Sequence, residues 1–170
     1  MYSRPHQHDQ WIDHRIRVDV TTAVARNVLA YGATVGDLSC GDAAVAMRLR
    51  RSHGARLVLG DLAPGYELTG PIEETINQIE SVDLFLCTET IEHLDDPDAV
   101  LAAIRPQTQR LLLSTPDGET DDTNPEHVWG WDATAVDQML RSAGFVPDVF
   151  ASLDMRLAGG QYNFQIWACR

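Results

Sequence analysis

Basic residues are scarce in this chain. Over 170 residues, 13 Lys and Arg stand against 25 Asp and Glu, and the formal net charge is −12. The mean surface field therefore repels phosphate polymers and anionic membranes, which disfavours nonspecific nucleic-acid binding and leaves only a local site open to it. Cysteine is scarce as well. Cys40, Cys87 and Cys169 are odd in number, far apart and outside any CxxC pair, so they read as reduced, buried thiols in a reducing compartment rather than a disulfide framework. No apolar run approaches the roughly 18 residues of a membrane span, and the opening MYSRPHQHDQ lacks the apolar centre of a signal peptide. Repeats, linkers and low-complexity tracts are missing too. The expectation is a soluble, cytoplasmic protein of one domain, residues 1–170, whose 44% hydrophobic content supplies a core without disulfides or structural metal.

What is present is an alternation of short apolar runs with helical patterns, the signature of a mostly parallel sheet covered on both faces. The segment to Asp19 is polar, with isolated Trp11 and Ile12. Val20, Ala23, Val24 and Val28 then recur at helical spacing, and Tyr31-Gly32 stops that helix. Strands are predicted at Ala33 to Leu38, Arg56 to Gly60, Tyr66 to Thr69, Val82 to Cys87 and Arg110 to Thr115. Between them, Asp42 is placed to cap a helix ending at His53-Gly54, and GPIEETINQIE precedes the fourth strand. Asp96-Pro97 opens a helix to Ile104, and Asp132 caps the last one. Val146 to Leu153 and Tyr162 to Cys169 are joined by the short MRLAGG connection. A parallel crossover needs about a dozen residues, so these two strands are predicted to form an antiparallel hairpin at the sheet edge. The stretch PDGETDDTNPEH is a loop leaving the carboxyl end of a central strand, where ligands of such sheets bind.

The densest signal is VGDLSCGDA, residues 35–43, where the first strand turns into the first crossover helix. Gly41 lets backbone approach a ligand, and the helix start offers unpaired N–H groups with partial positive charge. Asp61 follows Gly41 at the tip of the second strand, placed to accept hydrogen bonds from both hydroxyls of a ribose. A dinucleotide fingerprint counted from Gly36 needs glycine where Leu38 stands, which disfavours NAD. Asp37 would repel a pyrophosphate and welcome an ammonium group. An amino acid joined to adenosine satisfies both charges.

On these residues the chain resembles the class I S-adenosylmethionine-dependent methyltransferases. Their first motif, D/E-x-G-x-G-x-G, is matched by DLSCGDA with Ser39 and Ala43 in place of the first and third glycines. The likeness continues through Asp61, CTETIEHLDDP at residues 87–97, the strand ending STP, and the terminal AGF with its hairpin. It implies an α/β, doubly wound, Rossmann-like sheet of seven strands with the last antiparallel. It also implies S-adenosylmethionine as cofactor. Asp37, Ser39 and Gly41 would hold the methionine part, Asp61 the ribose, and Ile72 with its neighbours the adenine edge, with Leu62 and Thr88 completing the cofactor set. Gly70-Pro71 stands where many relatives carry an acid for the adenine amine.

Glu89, Glu92 and His93 are spaced to project to one side of a helical turn, and His127 lies in the loop after the fifth strand. Two carboxylates and two imidazoles make a candidate divalent-metal site. E-x-x-E-H followed by His127-Val128-Trp129-Gly130-Trp131 looks like the metal-dependent small-RNA 2′-O-methyltransferases related to Hen1. The same pattern is frequent in metal-free methyltransferases acting on small molecules, and the acidic balance favours these over RNA. His93 and His127 are then general-base candidates, with an O or N nucleophile of an unknown small-molecule acceptor. Trp129 and Trp131 either wall a pocket or anchor their loop. His6, His8 and His14 are expected in solvent. The remaining alternative is a noncatalytic binding module on the same scaffold. Nothing in the residues specifies an oligomeric state.

Overall fold

The computed structural model describes residues 4, 5, 7, 10–118, 122, 124–160 and 162–170. His6 and His8 lie outside them. Seven strands form one sheet in the order β3-β2-β1-β4-β5-β7-β6. They are β1 (Thr34–Asp37), β2 (Arg56–Asp61), β3 (Leu68–Thr69), β4 (Leu84–Thr88), β5 (Leu111–Pro116), β6 (Pro147–Leu153) and β7 (Phe164–Cys169). β7 pairs antiparallel with both β5 and β6. The predicted hairpin is therefore present, with its second strand inserted next to β5 and its first left at the edge.

Period-two alternation decides which side chain faces which layer. Phe85 and Cys87 of β4 and Leu111 and Leu113 of β5 pack on α3 (Ile72–Thr75), α4 (Pro97–Ile104) and α5 (Ala133–Ser142) through Ile72, Leu101, Ile104 and Leu140. Leu84, Leu86 and Leu112 point the other way, onto α1 (Ile12–Val28) and α2 (Ala44–His53) through Val18, Ala25, Ala46 and Leu49. β4 and β5 are buried on both faces, which is why they read as continuous apolar runs.

Two caps form as predicted. The side chain of Asp96 accepts from the Ala99 N–H at 3.0 Å, and that of Asp132 from the Ala135 N–H at 2.7 Å. Cys40, Cys87 and Cys169 are free and buried. No helix among the described residues is long and apolar enough to cross a membrane.

Three local expectations are corrected. α1 begins at Ile12 rather than after Asp19, and its fully buried face is Asp13, Arg17, Val18, Thr21, Thr22 and Ala25; of the predicted stripe, Val20, Val24 and Val28 are half-buried and pack against the core from its flank, while Ala23 is exposed. A face that carries Asp13, Arg17 and Thr21 gives no apolar period, so hydrophobic spacing could not find it. The N-cap of α2 is Ala43 rather than Asp42, because the turn extends one residue further. Ala43 takes a left-handed φ of 55°, and the Asp42 carboxylate accepts from the Ala44 N–H at 3.1 Å. The third strand is only Leu68–Thr69, since Tyr66 leaves the sheet and its hydroxyl donates to the Gly41 carbonyl at 2.6 Å.

Candidate active site

β1 and β4 are neighbours in the sheet, yet the chain leaves β1 toward β2 and returns on the far side to build β4. Their carboxyl ends flank the crevice at which doubly wound sheets bind ligands. Just beyond these ends, the hydroxyls of Ser39 and Thr90 share a hydrogen bond of 2.7 Å that ties the two turns together. A cavity of about 890 Å³ opens there, lined by residues that include Ser39, Gly41, Asp61, Leu62, Ile72, Glu89, Glu92, His93 and His127.

At one end the glycine turn is held from two sides. Asp61 accepts from the Gly41 N–H at 2.8 Å through one carboxylate oxygen and from the Ala63 N–H at 2.8 Å through the other. Each oxygen keeps a second lone pair for a further donor. Gly41 has φ 52° and Ala43 φ 55°, so both positions take the conformation that glycine adopts most cheaply. Asp37 and Thr88 are buried and are not among the residues that line the cavity. Asp37 is 2% exposed, and its Oδ1 finds no hydrogen-bond partner. Burial, only partly offset by the Ser39 N–H, pushes its carboxyl up to about 8. A buried carboxylate oxygen without a partner, on a side chain held by the N–H of the cavity-lining Ser39, fits an incoming cation, and the ammonium of S-adenosylmethionine is one. Asp61, Leu62 and Ile72 line the same end of the cavity, so the residues present fit the nucleoside as well.

At the other end the acids and histidines sort into two groups. Glu89 sits at φ 52°, a left-handed conformation costing about 1–2 kcal/mol for a residue with a Cβ. It is held by its N–H donating to the Ser114 carbonyl at 2.8 Å, by the Ser114 hydroxyl donating to its Oε1 at 2.8 Å, and by the buried Arg17 guanidinium, whose Nε lies 3.6 Å from the same oxygen. Glu92, His93 and His127 form the second group, each offering a ligand atom within 4.8 Å of the others. The expected four-ligand face is therefore three residues among those described, with Glu89 engaged elsewhere by Arg17 and Ser114.

Glu92 is 1% exposed; Thr115 donates to its Oε2 at 3.0 Å, while its Oε1 has no hydrogen-bond partner. Burial, reinforced by the Glu89 carboxylate, raises its carboxyl well above the ordinary range. His93 Nδ1 lies 2.9 Å from the Glu126 carbonyl oxygen, an acceptor that fixes the proton on Nδ1 and leaves Nε2 bare. His127 Nδ1 bonds the Asp122 carboxylate, which fixes the same tautomer. The two imidazoles meet edge to face with centroids 4.6 Å apart. Desolvation lowers the His93 pKa, which favours the neutral ring.

Several participants carried no sequence signal. Asp13 and His14 line the cavity from the start of α1, and His14 is half-buried against the Phe164 ring rather than in solvent. Tyr162 lines it from the entry to β7, and Asp122 and Glu126 orient the histidines. Trp129 and Trp131 do not line the cavity. They stack at 5.3 Å, and Trp129 Nε1 donates to the Leu94 carbonyl at 2.8 Å, anchoring the loop that carries His127.

No family model and no curated protein matches the sequence. Solved structures do match in fold. The chain is similar to 1,6-didemethyltoxoflavin-N1-methyltransferase of Burkholderia thailandensis, solved with 1,6-didemethyltoxoflavin and S-adenosylhomocysteine, at TM-score 0.71 and 17% identity over 90% of this chain and 77% of that one. It is similar to small RNA methyltransferase HEN1 at TM-score 0.74 and 17% identity, with 100% of this chain covering 27% of that one. The [4+2]-cyclase SpnF is matched at TM-score 0.74 and 12% identity over 100% of this chain and 86% of that one, so the shared architecture does not by itself name a reaction. The strand order, the cavity at the ends of β1 and β4, and these likenesses establish one point: the chain has the fold of the class I S-adenosylmethionine-dependent methyltransferases.

Proposed function

We propose that the protein transfers a methyl group from S-adenosylmethionine to an oxygen or nitrogen nucleophile of a small-molecule acceptor, with His127 as general base and His93 beside it. The observation that carries this reading is a pair of imidazoles at one end of a cavity whose other end is the glycine turn with Asp61. Each ring has its Nδ1 committed to an oxygen, leaving Nε2 to take a proton. The bound cofactor would supply an electrophilic methyl on a sulfonium. Asp37 would meet its ammonium, Ser39 and Gly41 would border the methionine part, Asp61 would accept from the ribose, and Leu62 and Ile72 would flank the adenine. The protein's own work is then to align the nucleophile, exclude water and accept one proton. Alignment is worth about 7–11 kcal/mol, and a positioned base a further 10²–10⁴-fold. Asp122 holds the His127 ring as the carboxylate of a catalytic triad holds its histidine.

His127→Ala is expected to lower turnover by about 10²–10⁴-fold while leaving S-adenosylhomocysteine affinity, measured by calorimetry, within threefold. Equal loss of both would refute the assignment, and calorimetric silence in the wild type would support the noncatalytic scaffold.

A second reading is favoured by one observation, the three ligand atoms of Glu92, His93 and His127 within 4.8 Å of one another. The oxygen partners on both Nδ1 atoms are what a metal-ligating histidine requires of its surroundings. A divalent cation held there would lower the pKa of an acceptor hydroxyl, as in a 2′-O-methyl transfer to RNA. Chelation followed by added magnesium or manganese decides it: activity indifferent to both removes the metal, and activity lost and restored establishes it. Residence in the cytoplasm is part of the same proposal.

A further inference from the structure

The cavity is one-sided in charge. Among the described residues seven carboxylates line it against the single guanidinium of Arg4, and of these Asp61 serves the glycine turn while Glu89 is engaged by Arg17. A second, independent feature marks where a cation would sit. Glu92 lines the cavity with a side chain that is 1% exposed, and its Oε1 has no hydrogen-bond partner. His93 Nε2 lies 3.9 Å from this oxygen, beyond hydrogen-bond distance, so a charged or donating guest would restore the solvation that the oxygen has lost. Rings surround this end of the site: His14, His127 and Tyr162 line it, and Trp11 and Ile12 present apolar surface from the start of α1. Aromatic faces favour an organic cation over an anion.

We infer that the end of the cavity beside Glu92 is a seat for an organic ammonium group, so that the acceptor is an amine with an apolar or aromatic body and not a carboxylate or a phosphate ester. The inference rests on the small-molecule reading of the site. It adds a substrate class to that reading, with Glu92 as its specificity-determining residue and the bare Nε2 atoms of His93 and His127 next to the bound nitrogen's proton.

The test is calorimetric titration of the full chain with phenethylamine, 2-phenylethanol and 3-phenylpropanoate, three probes of similar size that carry positive, no and negative charge. All titrations are run in EDTA, with and without saturating S-adenosylhomocysteine. Phenethylamine is expected to bind at least tenfold more tightly than either of the others. Glu92→Gln should weaken phenethylamine at least tenfold while leaving S-adenosylhomocysteine affinity intact and the melting temperature no lower than that of the wild type, because the amide keeps the volume of the carboxyl and has no charge to desolvate. Asp95→Asn, at an exposed carboxylate of the same cavity lining, should change phenethylamine affinity less than twofold. Three results overturn the seat: no phenethylamine binding, equal binding of 3-phenylpropanoate or 2-phenylethanol, or losses of equal size in Glu92→Gln and Asp95→Asn, which would reduce the effect to a diffuse field. Failure of the cofactor reading is separate, since it appears as absent S-adenosylhomocysteine binding whatever the amine does.

Discussion

Asp37→Asn should make the cofactor-free protein more stable and the cofactor complex weaker, and the two effects come from one atom. In the folded chain burial pushes the Asp37 carboxyl from 3.8 to about 8. The folded state therefore binds more protons than the unfolded chain between about pH 4 and pH 8, so this group lowers stability progressively as pH rises through that window. Each unit is worth about 1.4 kcal/mol, giving on the order of 5 kcal/mol at pH 8 with a rigid site and about 2–3 kcal/mol if relaxation recovers half. Asparagine has no charge to desolvate. The variant should melt with the wild type near pH 4 and rise above it by about 5 °C or more at pH 8, since 1 kcal/mol moves a domain of this size by about 2–4 °C. S-adenosylhomocysteine should bind it more weakly by roughly ten- to hundredfold, the loss of one charge-assisted hydrogen bond of about 1.5–3 kcal/mol. Scanning fluorimetry across pH 4–9 and calorimetry at pH 7.5 measure both. Parallel melting curves at every pH would refute the burial argument, and unchanged affinity would refute the assignment of Asp37 to the ammonium.

Arg17→Leu should cost about 3–5 kcal/mol, because it strands Glu89 beside Ser114 without its buried cation; adding Glu89→Gln should recover most of that loss, and a single-variant cost below 1 kcal/mol in urea titration would contradict it. Gly60→Ala should destabilise by about 1–3 kcal/mol, since its Cβ would lie 3.1 Å from the Leu68 carbonyl oxygen and 3.1 Å from Leu38 Cδ2, and a backbone oxygen moves at greater cost than a side-chain tip. An unchanged urea midpoint would show that β2 and β3 yield more easily than this packing implies. Tyr66→Phe removes the hydroxyl that donates to the Gly41 carbonyl and should weaken S-adenosylhomocysteine about three- to tenfold with an unaltered circular dichroism spectrum. Equal affinity would mean that Asp61 alone fixes the turn.

What was legible in the residues follows a physical rule. β4 and β5 were readable because strands buried on both faces are apolar throughout, and α4 and α5 because Asp96 and Asp132 are capping residues at their starts. The first half of α1 was not, since Asp13, Arg17 and Thr21 make its inward face polar. The spacing of Glu89, Glu92 and His93 marks them as a group and predicts that they share one side of a helical turn. The left-handed Glu89 followed by a short 3₁₀ turn over Ile91–His93 sends Glu89 to Ser114 and brings Glu92 and His93 together with His127.

The sequence alone determined the layers, the position of the glycine turn relative to Asp61, and the antiparallel pairing of the last two strands. All of these depend on hydrophobic period, turn chemistry and connection length, which are properties of neighbouring residues. Only the tertiary structure decided which charges meet. Arg17 reaches Ser114 across 97 positions, and Asp122 with His127 is carried to His93 by a loop that Trp129 fastens to Leu94. Electrostatic partners act over a few ångströms of space and leave no periodic trace along the chain, so the site's acids could be counted in the sequence while their pairing could not.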